Sequence, residues 1–335
     1  MKRLLLFAFA FTLAVTAMAQ PPANYYNSAN GLTGDQLKVA LHNIIKGHTS
    51  ISYSQIWNAF WSTDNKGNGV VWDMYSDRPN GNPPYTYYLG QDQCGSYSSE
   101  GDCYNREHSW PSSWFSDQST PRTDMHHIFA TDGYVNNKRS NYPFGEVQSA
   151  SWTSQNGSKL GTCKTPGYNG TVFEPIDEYK GDFARAIMYM SVRYYGEDSN
   201  WGGSDMTTKS VIKPWAITML LRWNTADPVS QKEIDRNNAI YNDYQHNRNP
   251  FVDHPEYADM IWNPSWGVAD HFLPNELKAN RVVVYDLLGR LLLQTDIDSE
   301  DEIESVLKDR LHQGCYLIQY QDGNRLIKSR KLLVN

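Results

Sequence analysis

Three segments lie close together in the chain: Arg106-Glu107-His108, Asp124-Met125-His126-His127 and Val135-Asn136-Asn137-Lys138-Arg139. A neutral imidazole can take a proton from water near pH 7, carboxylate and amide oxygens can hold Mg²⁺, and a guanidinium can bind phosphate. Together these groups can hydrolyse a phosphodiester bond with the help of one divalent metal ion. The segments therefore favour a nuclease.

The same segments predict a short run of secondary structure. Arg106-Glu107-His108 favours a strand that ends near Pro111, and Asp124 to Phe129 forms a second short extended run. Val135 to Asn141 begins a helix, which stops before Pro143 because the residue before a proline disfavours helical backbone. The predicted order is strand, loop, strand, helix.

Apolar residues recur at helical spacing elsewhere in the chain. Thr33 starts a helix with a capping-box pattern, and Ser54 caps a second helix whose apolar face includes Trp61. Val70 to Tyr75 predicts a buried strand. Further helices are predicted from Asp177 to Gly196, from Ser210 to Trp223 and from Ser230 to Tyr244.

The first nineteen residues have the pattern of a secretory signal peptide. Lys2 and Arg3 precede an apolar run, and Ala17-Met18-Ala19 supplies a cleavage signal. The run is shorter than the about 20 apolar residues of a membrane-spanning helix. No later segment comes closer, so we expect a secreted protein without a transmembrane segment.

The character of the chain changes near Pro274. Strands are predicted at Arg281 to Tyr285, Leu291 to Thr295 and Cys315 to Tyr320, with polar turns between them. The predicted organisation is therefore a signal peptide at residues 1–19, a mixed catalytic domain at residues 20–273 and a small β-rich module at residues 274–335.

The charge balance restricts the function. With 30 Lys and Arg against 37 Asp and Glu, the formal net charge is −7. A protein that coats nucleic acid through bulk electrostatics needs a basic face, so the balance argues against that class. An enzyme that binds a few phosphates locally is compatible with it.

Four cysteines follow the predicted signal peptide and would meet an oxidising compartment: Cys94, Cys103, Cys163 and Cys315. Cys94 and Cys103 are close together in a loop rich in glycine and serine, so a disulfide between them is our first expectation. Three full pairings are open, and the sequence does not choose among them. No metal-finger spacing is present, which argues against structural zinc.

The ordered motifs resemble the bacterial endonuclease I family, which has the ββα-metal or His-Me finger nuclease core. The resemblance covers roughly residues 30 to 265. It also rests on Gly181-Asp182-Phe183-Ala184-Arg185-Ala186 and on Gln245 to Glu256, and such ordered matches are more specific than a lone Glu-His pair. We therefore expect an α+β fold, with a ββα-metal core inside a largely helical shell.

The resemblance implies a nonspecific, Mg²⁺-dependent endonuclease, secreted or periplasmic, that acts on DNA and often on RNA. His108 would be the general base, with Glu107 and Asn136 as the protein ligands of the metal. This ligand set suits Mg²⁺, which keeps several waters and takes few protein oxygens, and Mn²⁺ and Ca²⁺ are the alternative ions. The products would carry 5′-phosphate ends.

Two geometric expectations follow for these residues. Adjacent residues of a regular strand point to opposite faces, so Glu107 and His108 are expected where the strand ends or bulges. Asn136 and Arg139 lie three apart and would share a helix face, which would place the guanidinium beside the metal-bound phosphate. Arg139 is therefore our candidate for phosphate binding.

Other residues of the motifs admit structural interpretations. Arg106 and Arg122 are weaker phosphate candidates, for which a surface or ion-paired role is favoured. His127 is interpreted as a partner that orients the site by hydrogen bonds. For His126, with Asp124, a site role and a structural role are equally open, and for the Asp253-His254 pair a structural role in its loop is preferred.

The C-terminal module resembles the sorting domain of the type IX secretion system. The resemblance rests on Val282 to Arg290, on Leu311 to Ile318 and on the closing Lys328 to Val334. It implies export through the periplasm and the outer membrane by the type IX machinery, with removal of the module or attachment to the cell surface.

Two other functions compete with the nuclease hypothesis. A zinc site on Asp124, His126 and His108 would suit another secreted hydrolase, but it lacks a regular ligand pattern and leaves Asn136 unexplained. A non-catalytic surface protein could use the 11 Trp and 22 Tyr to bind sugars or bases. Such a binder would have no reason to hold Glu107, His108 and Asn136 together.

Overall fold

The computed structural model describes residues 21–263, 281–285, 291–296, 311, 314–322 and 325–334. The predicted signal peptide lies outside these residues. The described chain is a mixture of helices and strands, which confirms the α+β class. It forms two compact units: the first runs through Pro255 apart from Thr33–Leu37, and the second combines Thr33–Leu37 with residues from Glu256 onward.

Helices and strands alternate irregularly. The helices are α1 Gly34–Ile45, α2 Ile56–Thr63, α3 Ser119–Arg122, α4 Gly133–Arg139, α5 Lys180–Arg193, α6 Pro214–Ala226, α7 Gln231–Ala239, α8 Pro250–Asp253 and α9 Tyr257–Trp262. Up to residue 263 the strands are β1 Asn65–Gly67, β2 Val70–Val71, β3 Tyr104–His108, β4 Ile128–Asp132, β5 Val147–Thr153, β6 Lys159–Cys163, β7 Thr171–Glu174, β8 Thr207–Thr208 and β9 Val211–Ile212.

The central feature of the first unit is an antiparallel strand pair followed by a helix. β3 pairs with β4 in a register that places Glu107 opposite Phe129 and His108 opposite Ile128. The predicted order of strand, strand and helix is confirmed. The second strand begins four residues later than predicted, because the Asp124 side chain accepts the amide of His126 and closes a 3₁₀ turn ahead of β4.

Helix α4 starts directly at the end of β4. The Asp132 carboxylate accepts the backbone N–H of Val135 at 2.7 Å, which satisfies one of the free donors of the first turn. A glycine is required at the next position, since a Cβ on Gly133 would lie 2.6 Å from the Tyr97 ring. The cap therefore fixes where α4 leaves the strand pair, and so which residues of the helix face β3.

Helix α5 is almost entirely buried. All of its residues from Gly181 to Arg193 are buried, and it packs against α6. Its charged residues are paired: Arg185 donates to both carboxylate oxygens of Glu233, and Lys232 donates to Asp182. Pairing of this kind is needed because an uncompensated charge in the interior is strongly destabilising.

Several predicted elements have different bounds. The N-cap residue of α2 is Gln55 and not Ser54, and Gln55 exchanges two hydrogen bonds with Ser52 in the turn before the helix. Trp61 is 50% exposed instead of buried. The predicted strand from Val70 ends after two residues, because the Asp73 side chain accepts the amide of Tyr75 and turns the chain.

The helix predicted from Ser210 begins only at Pro214, after a two-stranded hairpin of β8 and β9. The helix predicted from Ser230 begins with a capping box between Ser230 and Glu233, and it changes to a π-helix over Ile240–Gln245. The antiparallel sheet β5-β6-β7 was not predicted. Most of β5 is exposed and polar, so it has no apolar alternation to reveal it.

The structure contains the expected disulfide between Cys94 and Cys103. Cys103 directly precedes β3, and the backbone N–H of Cys94 donates to the carbonyl of Tyr104. The disulfide therefore closes the loop that leads into β3. Cys163 is a buried free thiol.

The second unit contains an antiparallel sheet of four strands in the order β11-β10-β12-β13. These strands are β10 Arg281–Tyr285, β11 Leu291–Asp296, β12 Gly314–Asp322 and β13 Arg325–Val334. The three predicted strands are confirmed, and β13 is an additional one. Val282, Val284, Ile318 and Tyr320 form the apolar core on this sheet.

Candidate active site

Glu107 is the penultimate residue of β3 and is buried at 1% exposure. Its Oε1 atom accepts a hydrogen bond from the Tyr75 hydroxyl at 3.0 Å and one from Nη1 of Arg139 at 3.1 Å. Within the described chain, Oε2 accepts none. Burial raises the pKa of this carboxyl to about 7, against the charge of Arg139 and the hydrogen bond from Tyr75. Oε2 is therefore the donor atom left for a cation.

Arg139 joins helix α4 to the end of β3. Besides Glu107, its Nη1 atom donates to the carbonyl of His108 at 2.8 Å, and its Nη2 atom donates to the carbonyl of Ser109 at 2.6 Å. The side chain is 1% exposed. We expected this guanidinium to bind phosphate, but its Nη atoms contact protein acceptors. In this placement, Arg139 fixes the carboxylate and the backbone on both sides of the His108 carbonyl.

His108 is the last residue of β3, as expected for a pair placed where the strand ends. Its Nε2 atom lies 3.0 Å from the carbonyl oxygen of Arg122. A carbonyl can only accept, so Nε2 carries the proton and Nδ1 has the free lone pair. Burial, with the neighbouring His127, lowers the pKa of His108 to about 3. The imidazole is therefore neutral at physiological pH.

Asn136 lies in α4, one turn before Arg139, and is half-buried. Its Nδ2 atom donates to the carbonyl of Arg106 at 3.4 Å, a long hydrogen bond that sets the orientation of the amide. The amide oxygen is then the atom that remains for a ligand. Asn136 and Arg139 thus share a helix face, as predicted, and both contact the backbone of β3.

The structure brings Glu107 and Arg139 into direct contact, with Asn136 anchored on the same strand. The His108 ring takes a different set of neighbours. It stacks on Tyr53, with ring centroids 6.1 Å apart, and lies 5.4 Å from the His127 ring. Across the described residues, no hydrogen bond joins this ring to Glu107 or Asn136.

The free oxygen donors suit a hard cation. A buried carboxylate oxygen of Glu107 and an amide oxygen of Asn136 are the ligand types that Mg²⁺ takes, with waters completing its shell. In the parts of the chain that the structure describes, His, Cys, Asp and Glu side chains form no group of three that could hold a metal ion. Zinc prefers nitrogen and sulfur ligands, whereas the donor atoms of Glu107 and Asn136 are oxygens, which suit Mg²⁺.

Asp124, which the zinc hypothesis would use as a ligand, is already saturated by protein donors. Its Oδ2 atom accepts the hydroxyls of Tyr189 and Tyr194, and its Oδ1 atom accepts Nε2 of Gln245 and the amide of His126. The nearby His48, His126 and His127 offset its burial, so that its pKa is held well below the usual range. These contacts give Asp124 a structural role.

His126 and His127 are both buried beside Asp124. The Nε2 atom of His126 lies 3.1 Å from the carbonyl of Asn247, and that of His127 lies 2.7 Å from the carbonyl of Pro121. Burial lowers the pKa of His126 to about 3 and that of His127 to about 4. Both are neutral donors that tie backbone segments together, in agreement with the structural interpretation.

Asp253 also has structural contacts. Its carboxylate accepts two hydrogen bonds from Arg248 at 2.7 Å, and it accepts the Tyr26 hydroxyl at 2.6 Å. The ring of His254 packs edge-on against Tyr26. The Asp253-His254 pair therefore secures its own loop, as preferred from the sequence.

Sequence reasoning missed Tyr75 and Tyr53. Tyr75 supports the Glu107 carboxylate, and Tyr53 carries two guanidinium groups beside His108. Both are far from the motifs in the chain, and the strand predicted over Val70 to Tyr75 gives no sign of a contact with Glu107. Their roles arise from tertiary packing alone, so no local signal could have found them.

A neutral imidazole with a free Nδ1 atom, on the residue that follows a buried carboxylate suited to a hard cation, is a combination that phosphodiester hydrolases use. Residues 33–256 match the sequence model of the Endonuclease I family. The chain therefore belongs to the Endonuclease I family, and it is a nuclease. This confirms the resemblance inferred from the motifs.

The chain is similar to two extracellular ribonucleases. It is 42% identical to that of Bacillus amyloliquefaciens over 267 residues, which cover 75% of this chain and 83% of the relative. It is 41% identical to that of Bacillus subtilis (strain 168) over 265 residues, with the same coverage of both chains.

The C-terminal residues 263–335 match the secretion system C-terminal sorting domain. This confirms the second resemblance and marks the protein as secreted. Among the helices of the described residues, none has both the length and the apolar character needed to cross a membrane.

Proposed function

We propose that the protein is a secreted endonuclease that hydrolyses both DNA and RNA with little base specificity. In this proposal β3, β4 and α4 form a ββα-metal, or His-Me finger, core. His108 is the general base, Glu107 and Asn136 hold one divalent metal ion, and the products carry 5′-phosphate ends. The observation that carries the proposal is the hydrogen bond from Nε2 of His108 to the carbonyl of Arg122.

That hydrogen bond supports the role of His108 in two ways. It fixes the tautomer, so that Nδ1 is free to take a proton from a water molecule. It also fixes the plane of the ring, together with the stacked Tyr53. Because burial keeps the imidazole neutral, the base is in its active form before substrate binds.

Glu107 and Asn136 are the residues that would hold the metal ion. The Glu107 carboxylate is oriented through Oε1 by Tyr75 and Arg139, so Oε2 can serve as a ligand without rotation of the group. When bound, Mg²⁺ supplies positive charge that stabilises the developing phosphorane and the leaving 3′ oxygen. Departure of the 3′ oxygen leaves the phosphate on the 5′ end.

Arg139 takes a positioning role in this proposal. Its guanidinium holds the carboxylate of Glu107 and the backbone carbonyls of His108 and Ser109 in one arrangement. One buried side chain thereby holds the Glu107 carboxylate against the end of the strand that contains His108. This contact replaces the direct phosphate contact that the helix spacing suggested.

The proposed chemistry makes no use of the ribose 2′-hydroxyl. The nucleophile is a water molecule that His108 activates, so DNA and RNA strands present the same reacting group. The names of the two Bacillus relatives favour RNA as one substrate. Contacts to phosphate carry no sequence information, so we expect cleavage at many sites.

The test uses the purified mature protein with a supercoiled plasmid, a single-stranded RNA and the same RNA with 2′-O-methyl groups. We expect Mg²⁺-dependent cleavage of all three and loss of activity in EDTA, with 5′-phosphate ends on every product. Cleavage of unmodified RNA alone, with 2′,3′-cyclic phosphate ends, would overturn the water-based mechanism. A lack of cleavage under every divalent metal would favour the non-catalytic binder.

A further inference from the structure

Two arginine side chains pack on one tyrosine ring beside His108. The guanidinium carbon of Arg106 lies 3.6 Å from the centroid of the Tyr53 ring, and that of Arg122 lies 4.7 Å from it. Arg106 also lies 4.3 Å from the Trp57 ring. Arginine stays charged at any physiological pH, so two permanent positive charges share this small aromatic platform.

Neither guanidinium has a carboxylate partner in the described chain. Most other arginines of the first unit do: Arg139, for example, pairs with Glu107, Arg185 with Glu233, and Arg248 with Asp253. The surface or ion-paired role expected for Arg106 and Arg122 therefore holds only in part, since no ion pair is formed. In a chain with 37 acidic residues, this local excess of positive charge calls for an anion from outside.

The unused hydrogen-bond donors point the same way. Each guanidinium has five N–H donors. Arg106 donates once, from Nη1 to the carbonyl of Tyr53 at 2.9 Å, and its Nε atom is buried without a hydrogen-bond partner within the described residues. Arg122 is exposed, and its side chain donates to no described residue. Most of the donors on this platform are thus available to a ligand.

A groove opens beside the platform. It has a volume of about 330 Å³, and its lining includes Ser52, Tyr53, Ser119, Thr120 and Arg122. Hydroxyl groups and the guanidinium thus provide donors along the groove. One carboxylate, that of Asp117, also lines it, but Asp117 forms no ion pair with either arginine in the described structure.

The groove is connected to the proposed base. The carbonyl that receives Nε2 of His108 belongs to Arg122, and the His108 ring stacks on the same Tyr53. A nucleic-acid strand with one phosphodiester at His108 therefore has its neighbouring phosphates within reach of the two arginines.

We propose that Tyr53, Arg106 and Arg122 form a subsite that binds a backbone phosphate next to the one that is cleaved. The subsite rests on the proposed function and deepens it. The ring orders the two guanidinium groups by cation–π contact, and their N–H edges bind the anion. Because it reads phosphate and not bases, the subsite contributes affinity without sequence preference.

Binding to a fluorescein-labelled single-stranded oligonucleotide tests this subsite. Fluorescence anisotropy with Mg²⁺ would be measured in a His108→Ala background, which prevents cleavage during the titration. Arg122→Gln is compared with Arg222→Gln, a matched control that removes one cation from a half-exposed arginine elsewhere.

Loss of one phosphate contact predicts about tenfold weaker binding for Arg122→Gln, comparable to one charge-assisted hydrogen bond. It also predicts that the slope of log K against log salt becomes shallower by about 0.7, the value for one phosphate of a single strand. Arg222→Gln should leave both the affinity and the salt slope unchanged. Arg122→Lys should restore the salt slope, since it keeps the charge. Its affinity should lie between those of Arg122→Gln and of the protein with Arg122 intact.

An unchanged affinity for Arg122→Gln would overturn the subsite. Weaker binding with an unchanged salt slope would also overturn it, because that result would indicate a merely structural role for Arg122. A failure of the proposed function is distinguishable from both. In that case the protein with Arg122 intact would fail to bind the oligonucleotide or, without the His108 substitution, to cleave it.

Discussion

The Nη1 atom of Arg139 lies 3.1 Å from Oε1 of Glu107, and both side chains are 1% exposed. Such a pair is costly to desolvate, and it is favourable only when the remaining donors also find partners. Arg139 meets this condition at its two Nη atoms, which also donate to the carbonyls of His108 and Ser109, whereas its Nε atom is buried without a hydrogen-bond partner among the described residues. Helix α4 thus holds the end of β3 through one side chain.

Substitution of Arg139 by methionine should impair both stability and metal use. Removal of one partner of a buried pair destabilises by about 3–5 kcal/mol, because the other charge is left uncompensated. Loss of the group that orients a metal ligand weakens metal binding or activity by about 10–100-fold. Chemical denaturation and Mg²⁺ titration of the cleavage rate would measure the two effects.

Tyr75→Phe is the control for Arg139→Met, since it removes the other hydrogen bond to the same Oε1 atom. We expect a smaller loss of folding stability, about 1–3 kcal/mol, because the substitution removes a neutral hydrogen-bond donor. If Arg139→Met raised KM for the substrate while the Mg²⁺ requirement stayed unchanged, Arg139 would bind phosphate directly, as the helix spacing first suggested.

Asn136→Ala should raise the Mg²⁺ concentration for half-maximal cleavage by about 10–100-fold, similar to the loss of an interaction around a metal site. The fold should persist, because Asn136 is half-buried and makes one long hydrogen bond. The neighbouring exposed Asn137 provides the control: Asn137→Ala should leave the metal titration unchanged. Equal titrations for both variants would remove Asn136 from the metal site.

Loss of the Cys94–Cys103 disulfide should lower stability more than activity. The bond closes a short loop, for which chain entropy predicts about 2–3 kcal/mol of stabilisation. Because the loop leads into β3 and contains none of the proposed site residues, the double variant Cys94→Ser, Cys103→Ser should cleave at a near-normal rate at low temperature. Thermal unfolding and cleavage assays would show whether the two properties separate in this way.

The buried His126 should oppose folding in acid. Burial lowers its pKa to about 3 despite the charge of Asp124 and the hydrogen bond to Asn247, while Arg236 and His48 lower it further. A histidine of the unfolded chain has a pKa near 6.5, so between that pH and about 3 the unfolded state binds one more proton. This histidine therefore costs stability progressively as the pH falls below about 6.5.

His126→Gln keeps a donor for the Asn247 carbonyl and removes this titration. We expect the variant to be less stable than the parent at pH 7, and the difference to shrink by about 1.4 kcal/mol per pH unit below pH 6. Urea unfolding of both proteins at several pH values gives the difference directly. A difference that is constant with pH would mean that His126 is protonated in the folded state.

The sequence predicted much of the site because its signals are local. The motifs and the proline and capping positions located β3, β4 and α4, and the change from period 3.6 to period 2 near Pro274 located the strands of the second unit. Adjacent and i, i+3 spacings were enough to place Glu107 and His108 at a strand end and Asn136 on the helix face toward β3.

The remaining features depend on contacts between distant residues. The placement of Arg139 follows from its burial against Glu107, which helix spacing alone does not reveal. Tyr75 reaches Glu107 across 32 residues, and the strand expected at Val70 yields to a turn closed by Asp73. Trp61 lies at helical spacing and was therefore expected on the buried face of α2, but its side chain is half exposed.

The most direct test of the general-base role of His108 compares three proteins: the mature protein, His108→Ala and His246→Ala. Their rates of cleavage of a supercoiled plasmid and of a single-stranded RNA are measured in Mg²⁺. His246 is an exposed histidine away from β3 and serves as the matched control. The general-base role predicts that His108→Ala loses about 10²–10⁴-fold of the rate on both substrates, while His246→Ala keeps it. Cleavage by His108→Ala within about threefold of the parent rate would contradict the role assigned to His108.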